Sequence, residues 1–243
     1  AMSRCQITLS VNAGVALHLG QHRVWSDALH DRRVVGFSTV TPQLWSILQA
    51  HPDFARPEIL FYTHCHPDHY SRALTEQVVA RNPAAILVLP EQEFDSQVRL
   101  AGPGSHLTIG DLRMDFFQLT HEGPQYREVP HYGCILESGG FRVLIAGDCA
   151  VADPRLADFI GGRQIDLALL NFPWVTLRKC RHFNEEPIRP HPLFVYTSPS
   201  SRTTAGAIGR PPARARPRWK GCRMSGSCWS PSSGRSSPDP PTW

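Results

Sequence analysis

The chain contains no apolar run approaching the roughly 20 residues needed to cross a bilayer. No charged-then-apolar leader opens it. No membrane partner is expected, and a cytoplasmic location is the default expectation. The cysteines are seven (Cys5, Cys65, Cys134, Cys149, Cys180, Cys222 and Cys228), an odd number with scattered spacing and no CxxC pair. That excludes a disulfide framework and a structural zinc knuckle. Cys134 and Cys149 lie in apolar stretches and read as small buried side chains. Positive charge is also missing where a nucleic-acid surface would need it. The net charge is +4, but from Ser198 onward eight Lys or Arg residues face one acid, Asp239, so the remainder carries −3. No nucleic-acid partner is expected from a basic tail on an acidic body. What is present is 243 residues, 41% apolar and 19% charged, enough to bury the core of one large domain.

Short strands come first. Cys5 to Val11 alternates with period two, Val15 to Leu19 follows Asn12-Ala13-Gly14, and His22 to Asp27 ends on an acid. Thr41-Pro42 places an N-cap and a first-turn proline before a helix over Gln43–Ala50. Ile59 to Tyr62 is a buried-type strand, and Ser71 to Arg81 a helix with Leu74, Val78 and Val79 on one face. Ala85–Leu89 is a strand, Leu107–Phe117 a hairpin with a Gly-Asp turn, and Tyr132–Leu136 with Phe141–Ile145 a strand pair. A helix near Pro154–Phe159 precedes a strand at Asp166–Leu170. Hairpins followed by strand–helix alternation predict an α/β (α+β) fold of two packed sheets with helices outside.

Between the strand ending at Tyr62 and the helix opening at Ser71 lies His64-Cys65-His66-Pro67-Asp68-His69, an HxHxDH run. On a straight strand residues i and i+2 share a face, so His64 and His66 can meet one metal. A turn after them would aim Asp68 and His69 at a second. Imidazole and carboxylate together suit zinc, manganese or iron. Two such ions about 3.5–4 Å apart share a hydroxide and stabilise an oxyanion. The alternative is a surface histidine cluster. Asp148 closes the apolar run Val143-Leu144-Ile145-Ala146-Gly147, and an acid at the end of a buried strand needs a partner. His18, His22, His30 and His51 read as ordinary polar residues.

The run is similar to the signature of the metallo-β-lactamase fold superfamily, and the resemblance extends over roughly Cys5 to Phe172. Val24-Trp25-Ser26-Asp27 resembles its first motif, Thr120-His121-Glu122-Gly123 its third and Ile145-Ala146-Gly147-Asp148 its fourth. The fold implied is a four-layer αβ/βα sandwich. The resemblance implies two divalent metal ions, zinc first, with manganese or iron as alternatives. His64, His66 and His121 would hold one ion and Asp68 and His69 the other, with Asp148 shared and Asp27 as structural support. His131, at Pro130-His131-Tyr132, competes with His121 for the third-motif role. His121 is preferred because it ends an apolar strand. Asp68 and His131 are the candidate catalytic side chains. Tyr126, Arg127, His131, Phe172 and Trp174 are candidates to line a substrate pocket, with a structural role equally open. Trp25 to His30 also resembles the sugar-phosphate lactonase-like branch, and histidine rather than glutamate at position 66 departs from the di-iron oxygen-reducing branch.

The sequence departs from the family at the fifth motif. A further histidine is expected after the strand Pro192–Tyr196, and Thr197 stands there. His182 and His191 are possible replacement ligands. Composition also changes at this point, dividing the chain into a domain over 1–197 and a Ser-, Pro- and Arg-rich tail over 198–243, read as disordered or out of frame. A single-base deletion turning a Tyr-His codon pair into Tyr-Thr in a GC-rich gene accounts for both facts. A source frame reading intact from Thr197 to Trp243 would contradict it. The expected function is a hydrolase using a dinuclear centre and bridging hydroxide on a small ester, lactone or phosphodiester. The alternative is a metal-binding member, catalytically crippled, that serves as a binding module.

Overall fold

The structure is a computed structural model that describes residues 5–180, 193–197 and 222–224. Its first sheet begins with the meander β1 (Cys5–Leu9), β2 (Val15–Leu19) and β3 (His22–Ser26), paired antiparallel. The parallel strands β4 (Ile59–Phe61), β5 (Ile86–Leu89) and β6 (Val98–Arg99) extend it. The second sheet holds β7 (His106–Ile109), β8 (Leu112–Gln118), β9 (Tyr132–Ser138) and β10 (Phe141–Ile145) as an antiparallel meander. The strands β11 (Leu167–Asn171) and β12 (Leu193–Thr197) continue it in parallel. Within the tail, β13 (Cys222–Met224) pairs parallel with β1. The strand orders are 13-1-2-3-4-5-6 and 12-11-10-9-8-7.

Alternation along the strands builds the layers. Ile59 and Phe61 of β4, Val143 and Ile145 of β10, and Leu167 and Leu169 of β11 share one cluster between the sheets. The residues between them point the other way. Leu60 and Leu87 pack outward with Leu48, Leu74 and Val78, which come from α1 (Pro42–Ala50) and α2 (Arg72–Arg81). Leu144, Ala168 and Leu170 pack outward with Leu156 and Ile160 of α3 (Pro154–Ile160) and with Trp174 of the single turn α4 (Pro173–Thr176). The result is the four-layer αβ/βα sandwich.

Local chemistry sets the helix starts. Thr41 Oγ1 accepts from Leu44 N, Ser71 Oγ from Leu74 N and Asp153 Oδ1 from Arg155 N. At the other end of α3, Gly161 takes the left-handed conformation (φ 57°) and donates to Ala157 O. No helix among the described residues is long and apolar enough to cross a membrane.

His22 is not an ordinary polar surface residue. It is buried, and it joins the two sheets at the end away from the histidine run. Its Nδ1 donates to Glu58 Oε2 at 2.7 Å, just before β4, and its Nε2 to Asp111 Oδ1 at 2.9 Å, in the β7–β8 turn. Ser138 Oγ donates to the other oxygen of Asp111. Burial alone would lower the His22 pKa, but the bonds to Asp111 and Glu58 outweigh it and raise the value above 6.5. The clasp therefore stabilises fully below about pH 6.5, and its contribution is lost as pH rises through the raised value. The thermal midpoint should fall as pH climbs past that point, and His22→Asn should remove the slope. Unfolding curves across a pH series check this, and an unchanged slope in the variant would contradict it.

Candidate metal centre

β4 ends at Phe61, five residues before His66, so His64 and His66 do not share a straight strand. The reason is Asp27. Beyond Tyr62, the next backbone N–H, that of Thr63, donates to Asp27 Oδ1 at 2.8 Å instead of to a neighbouring strand. The chain leaves the sheet there, and the carbonyl of His66 accepts from the N–H groups of His69 and Tyr70 in a tight turn. This folds His64, His66 and His69 over the end of the sandwich.

Asp27 is fully buried at φ 48°, a left-handed conformation strained for a non-glycine residue. Its Oδ2 accepts from Thr63 Oγ1 at 2.7 Å and from His69 Nδ1 at 2.9 Å. Thr63 has one hydroxyl proton, and Asp27 takes it. Toward His64 Nδ1, 3.0 Å away, the Thr63 oxygen can therefore only accept. His64 thus carries its proton on Nδ1. His121 is fixed in the same way, with Nδ1 donating to Glu122 O at 2.7 Å. In all three rings Nδ1 is engaged, and Nε2 of His64, His69 and His121 is buried without a well-aligned hydrogen-bond partner.

Those atoms converge. Ligand atoms of His64, His66 and His121 lie within 4.8 Å of one another, and so do those of His64, His69 and Asp148. Buried, unpartnered imidazole nitrogens facing one another are costly unless a cation lies between them, so these residues suit a divalent metal. Burial and the neighbouring imidazoles hold the His64 pKa well below 6.5, so that ring is neutral, as a ligand must be. Burial alone would raise Asp148, but His69, Asn171 and His121 outweigh it and hold the carboxyl below its ordinary range. Asp148 Oδ2 lies 3.3 Å from His69 Nε2 and 3.9 Å from His121 Nε2. Burial would lower the His69 pKa, yet Asp148 and Asp27 outweigh it and raise the value well above 6.5.

The structure brings His64, His66, His69, His121 and Asp148 together, with Asp27 beneath them. Asp68 lies at the edge. Its Oδ2 is 3.9 Å from His69 Nε2, and neither cluster includes it. His131 stands behind the cluster. It is buried, and its Nε2 accepts from the Asp148 backbone N–H at 3.0 Å. Burial lowers its pKa to about 3, so it is a neutral acceptor that positions Asp148. His182 and His191 lie outside the described residues. Tyr126 rests its ring on His66 and His121, with centroids 5.0 and 4.9 Å away. Trp174 is core and lines nothing accessible. His30, expected to be an ordinary polar residue, is fully buried, and burial lowers its pKa to about 4.

The family profile described as the Beta-lactamase superfamily domain matches residues 22–185, more than half of the chain. The chain belongs to this superfamily. Its fold is shared by a putative metal-dependent hydrolase from Parabacteroides distasonis ATCC 8503, with TM-score 0.50, 19% identity, and 68% of each chain covered. It is shared also by CmlA, a diiron β-hydroxylase from Streptomyces venezuelae, with TM-score 0.54, 15% identity, and 76% of this chain but 43% of CmlA covered. No curated protein matches significantly. The superfamily assignment agrees with the αβ/βα sandwich and with a His/Asp cluster able to hold metal.

Sequence reasoning missed three residues that hold the cluster, Thr63, Asn171 and Asn12, and had Gly147 only as part of the fourth motif. Thr63 relays Asp27 to His64. Gly147 (φ 58°) lets Asp148 turn inward, and a Cβ there would sit 2.6 Å from His131 Nε2 and 2.9 Å from Thr63 Cβ. Asn171, at the end of β11, donates from Nδ2 to Asp148 Oδ1 at 2.9 Å. Asn12, at φ 43°, donates from Nδ2 to Asp68 O at 3.1 Å. Only the asparagine closing an apolar strand, Asn171, left a signal comparable to that of Asp148.

The relay sets a prediction. Asp27→Asn replaces one acceptor oxygen with an N–H donor, so it loses the hold on His69 or on Thr63. Metal affinity should fall about 10- to 100-fold, as measured by competition with a chromogenic chelator. Unchanged affinity in a folded variant would show that the ligands need no such support.

Proposed function

We propose that the chain is a metal-dependent hydrolase acting through a dinuclear centre on a small ester, lactone or phosphodiester. The observation that carries the reading is the convergence of the buried Nε2 atoms of His64, His69 and His121 with Asp148, those of His64 and His121 having no hydrogen-bond partner. His64, His66 and His121 would hold one ion. His69 and Asp148 would hold the second, with Asp68 at its edge. Divalent cations bound there would supply an activated water and polarise the oxygen under attack.

The chain's own residues do the rest. Asp27 and Thr63 keep the Nδ1 protons of His69 and His64 in place, so the Nε2 lone pairs stay directed at the centre. Asn171 and His131 grip Asp148 from its carboxylate and its backbone N–H, and so fix the angle at which it enters. Asp68, part-exposed beside His69, is placed to hold or pass a proton at the open side of the cluster. Tyr126, 40% exposed over His66 and His121, covers the same side. Zinc is the preferred metal, with manganese and iron as alternatives, since neutral imidazole and carboxylate accommodate all three. The partner is a small molecule.

A second reading has one observation in its favour. Thr197, which closes β12 and pairs with Asn171 across the sheet, stands where the superfamily signature expects a histidine. A second metal position short of one ligand would leave a binding module rather than an enzyme.

Metal analysis with a substrate panel separates the two readings. The enzyme binds two equivalents and turns over at least one of an ester, a lactone and a phosphodiester, with His66→Ala lowering the rate about a thousand-fold. One equivalent and no turnover on any substrate would overturn the proposal in favour of the module.

A further inference from the structure

A cavity of about 160 Å³ is lined by His121 and Asp148 and therefore opens beside the candidate ligands. Its other polar walls are already committed to the protein. Asn12 Nδ2 donates to Asp68 O, Asn171 Nδ2 donates to Asp148 Oδ1, and Glu122 Oε2 accepts from the Val151 N–H at 2.7 Å. The remaining walls are Phe37, Phe172 and Pro173, all half-buried.

Phe37 is the informative wall. It belongs to none of the three apolar clusters of the sandwich. Its ring therefore adds nothing to the core, yet it stands at the edge of the space beside two metal-binding side chains.

The loop after Asp27 holds that ring in place. The Phe37 N–H donates to Val34 O at 3.1 Å and closes a turn. Gly36, at φ 94°, supplies the positive φ that a type II turn needs at its second corner. Beyond Phe37 the chain is tied down again. Ser38 Oγ accepts from the Asn12 N–H at 2.9 Å, and Ser38 O accepts from His30 Nε2 at 3.3 Å. His30 O accepts from the Val40 N–H at 2.9 Å and from Thr39 Oγ1 at 3.1 Å. The buried His30, which neither ligand cluster includes, thus anchors the loop through both its ring and its carbonyl. Asn12 holds the Phe37 loop through its backbone and the metal loop through its side chain, so one residue sets the position of the ring relative to the ligands.

Resting on the hydrolase reading above, we infer that Phe37 is a specificity-determining residue and that the substrate carries an apolar group next to the bond that is cleaved. An apolar-walled cavity of about 150 Å³ accepts a benzene ring, so a group of about six carbon atoms matches the space. Phe37, Phe172 and Pro173 take that group out of water while the metal centre takes the polar end.

Two hydroxamates test it by binding rather than by turnover. Acetohydroxamate and cyclohexanecarbohydroxamate carry the same metal-chelating oxygens and differ only in the substituent on the carbonyl. On the metal-loaded protein, calorimetry should show the cyclohexane compound binding about 10- to 100-fold more tightly, the gain from burying a ring of that size. In Phe37→Ala the ratio of the two affinities should fall about fivefold, because the loss is confined to the compound that reaches the ring. Phe37→Leu, which keeps an apolar wall, should retain most of the ratio. Equal binding of the two compounds, a ratio untouched in folded Phe37→Ala, or an equal loss for both compounds in that variant would overturn this inference and leave the metal centre standing. Binding of neither hydroxamate to the loaded protein would overturn the hydrolase reading, and this inference with it.

Discussion

The Asp27 carboxylate is the point on which the site rests. It is fully buried, and a carboxylate in that position is tolerated only when its oxygens are satisfied. Three donors satisfy them: the backbone and hydroxyl of Thr63, and Nδ1 of His69. Each of these bonds also does something beyond satisfying Asp27. The first ends β4 and turns the chain out of the sheet. The second makes Thr63 an acceptor and so places the His64 proton on Nδ1. The third fixes the His69 ring. A single acid at the end of β3 thus controls the path of the loop and the protonation of two of its rings. The left-handed backbone of Asp27 is the strain that this arrangement sustains.

The sandwich makes that control possible. β3 and β4 run parallel and adjacent, so both end on the same side of the sheet, and their last residues deliver Asp27 and the histidine loop to one place. β10 and β11 do the same in the second sheet, delivering Asp148 and Asn171. The backbone N–H of Tyr132 donates to Thr63 O at 2.8 Å and ties the two sheets together beneath the cluster. The open edge between the sheets is where metal ligands from both can meet. His22 closes the opposite end.

Much of the fold was legible because it depends on local pattern. Period-two alternation marked β1 within Cys5–Val11, and Thr41-Pro42 marked the start of α1. The two-residue β6, the 3-10 turn over Pro52–Phe54 and the single turn α4 carry too few residues to show a period. In the site, the HxHxDH run and Asp148 were legible because ligand chemistry restricts the residue type. Thr63 and Asn12 were not. Their importance comes from hydrogen bonds spanning 36 and 56 residues, which no window along the sequence contains. His131 was read as a catalytic candidate because a histidine near the third motif carries ligand chemistry. Only its burial behind Asp148 shows that its neutral ring acts on the Asp148 backbone.

Asp27 and Thr63 hold His64 and His69 so that Nε2, not Nδ1, of each is the atom turned toward a metal. An anomalous-scattering crystal structure of the zinc-loaded protein tests it most directly. Zinc should be bonded through Nε2 of His64 and His69, with the Asp27–Thr63–His64 and Asp27–His69 hydrogen bonds intact. Zinc bonded through Nδ1 of either ring, or zinc found only away from the cluster, would contradict it.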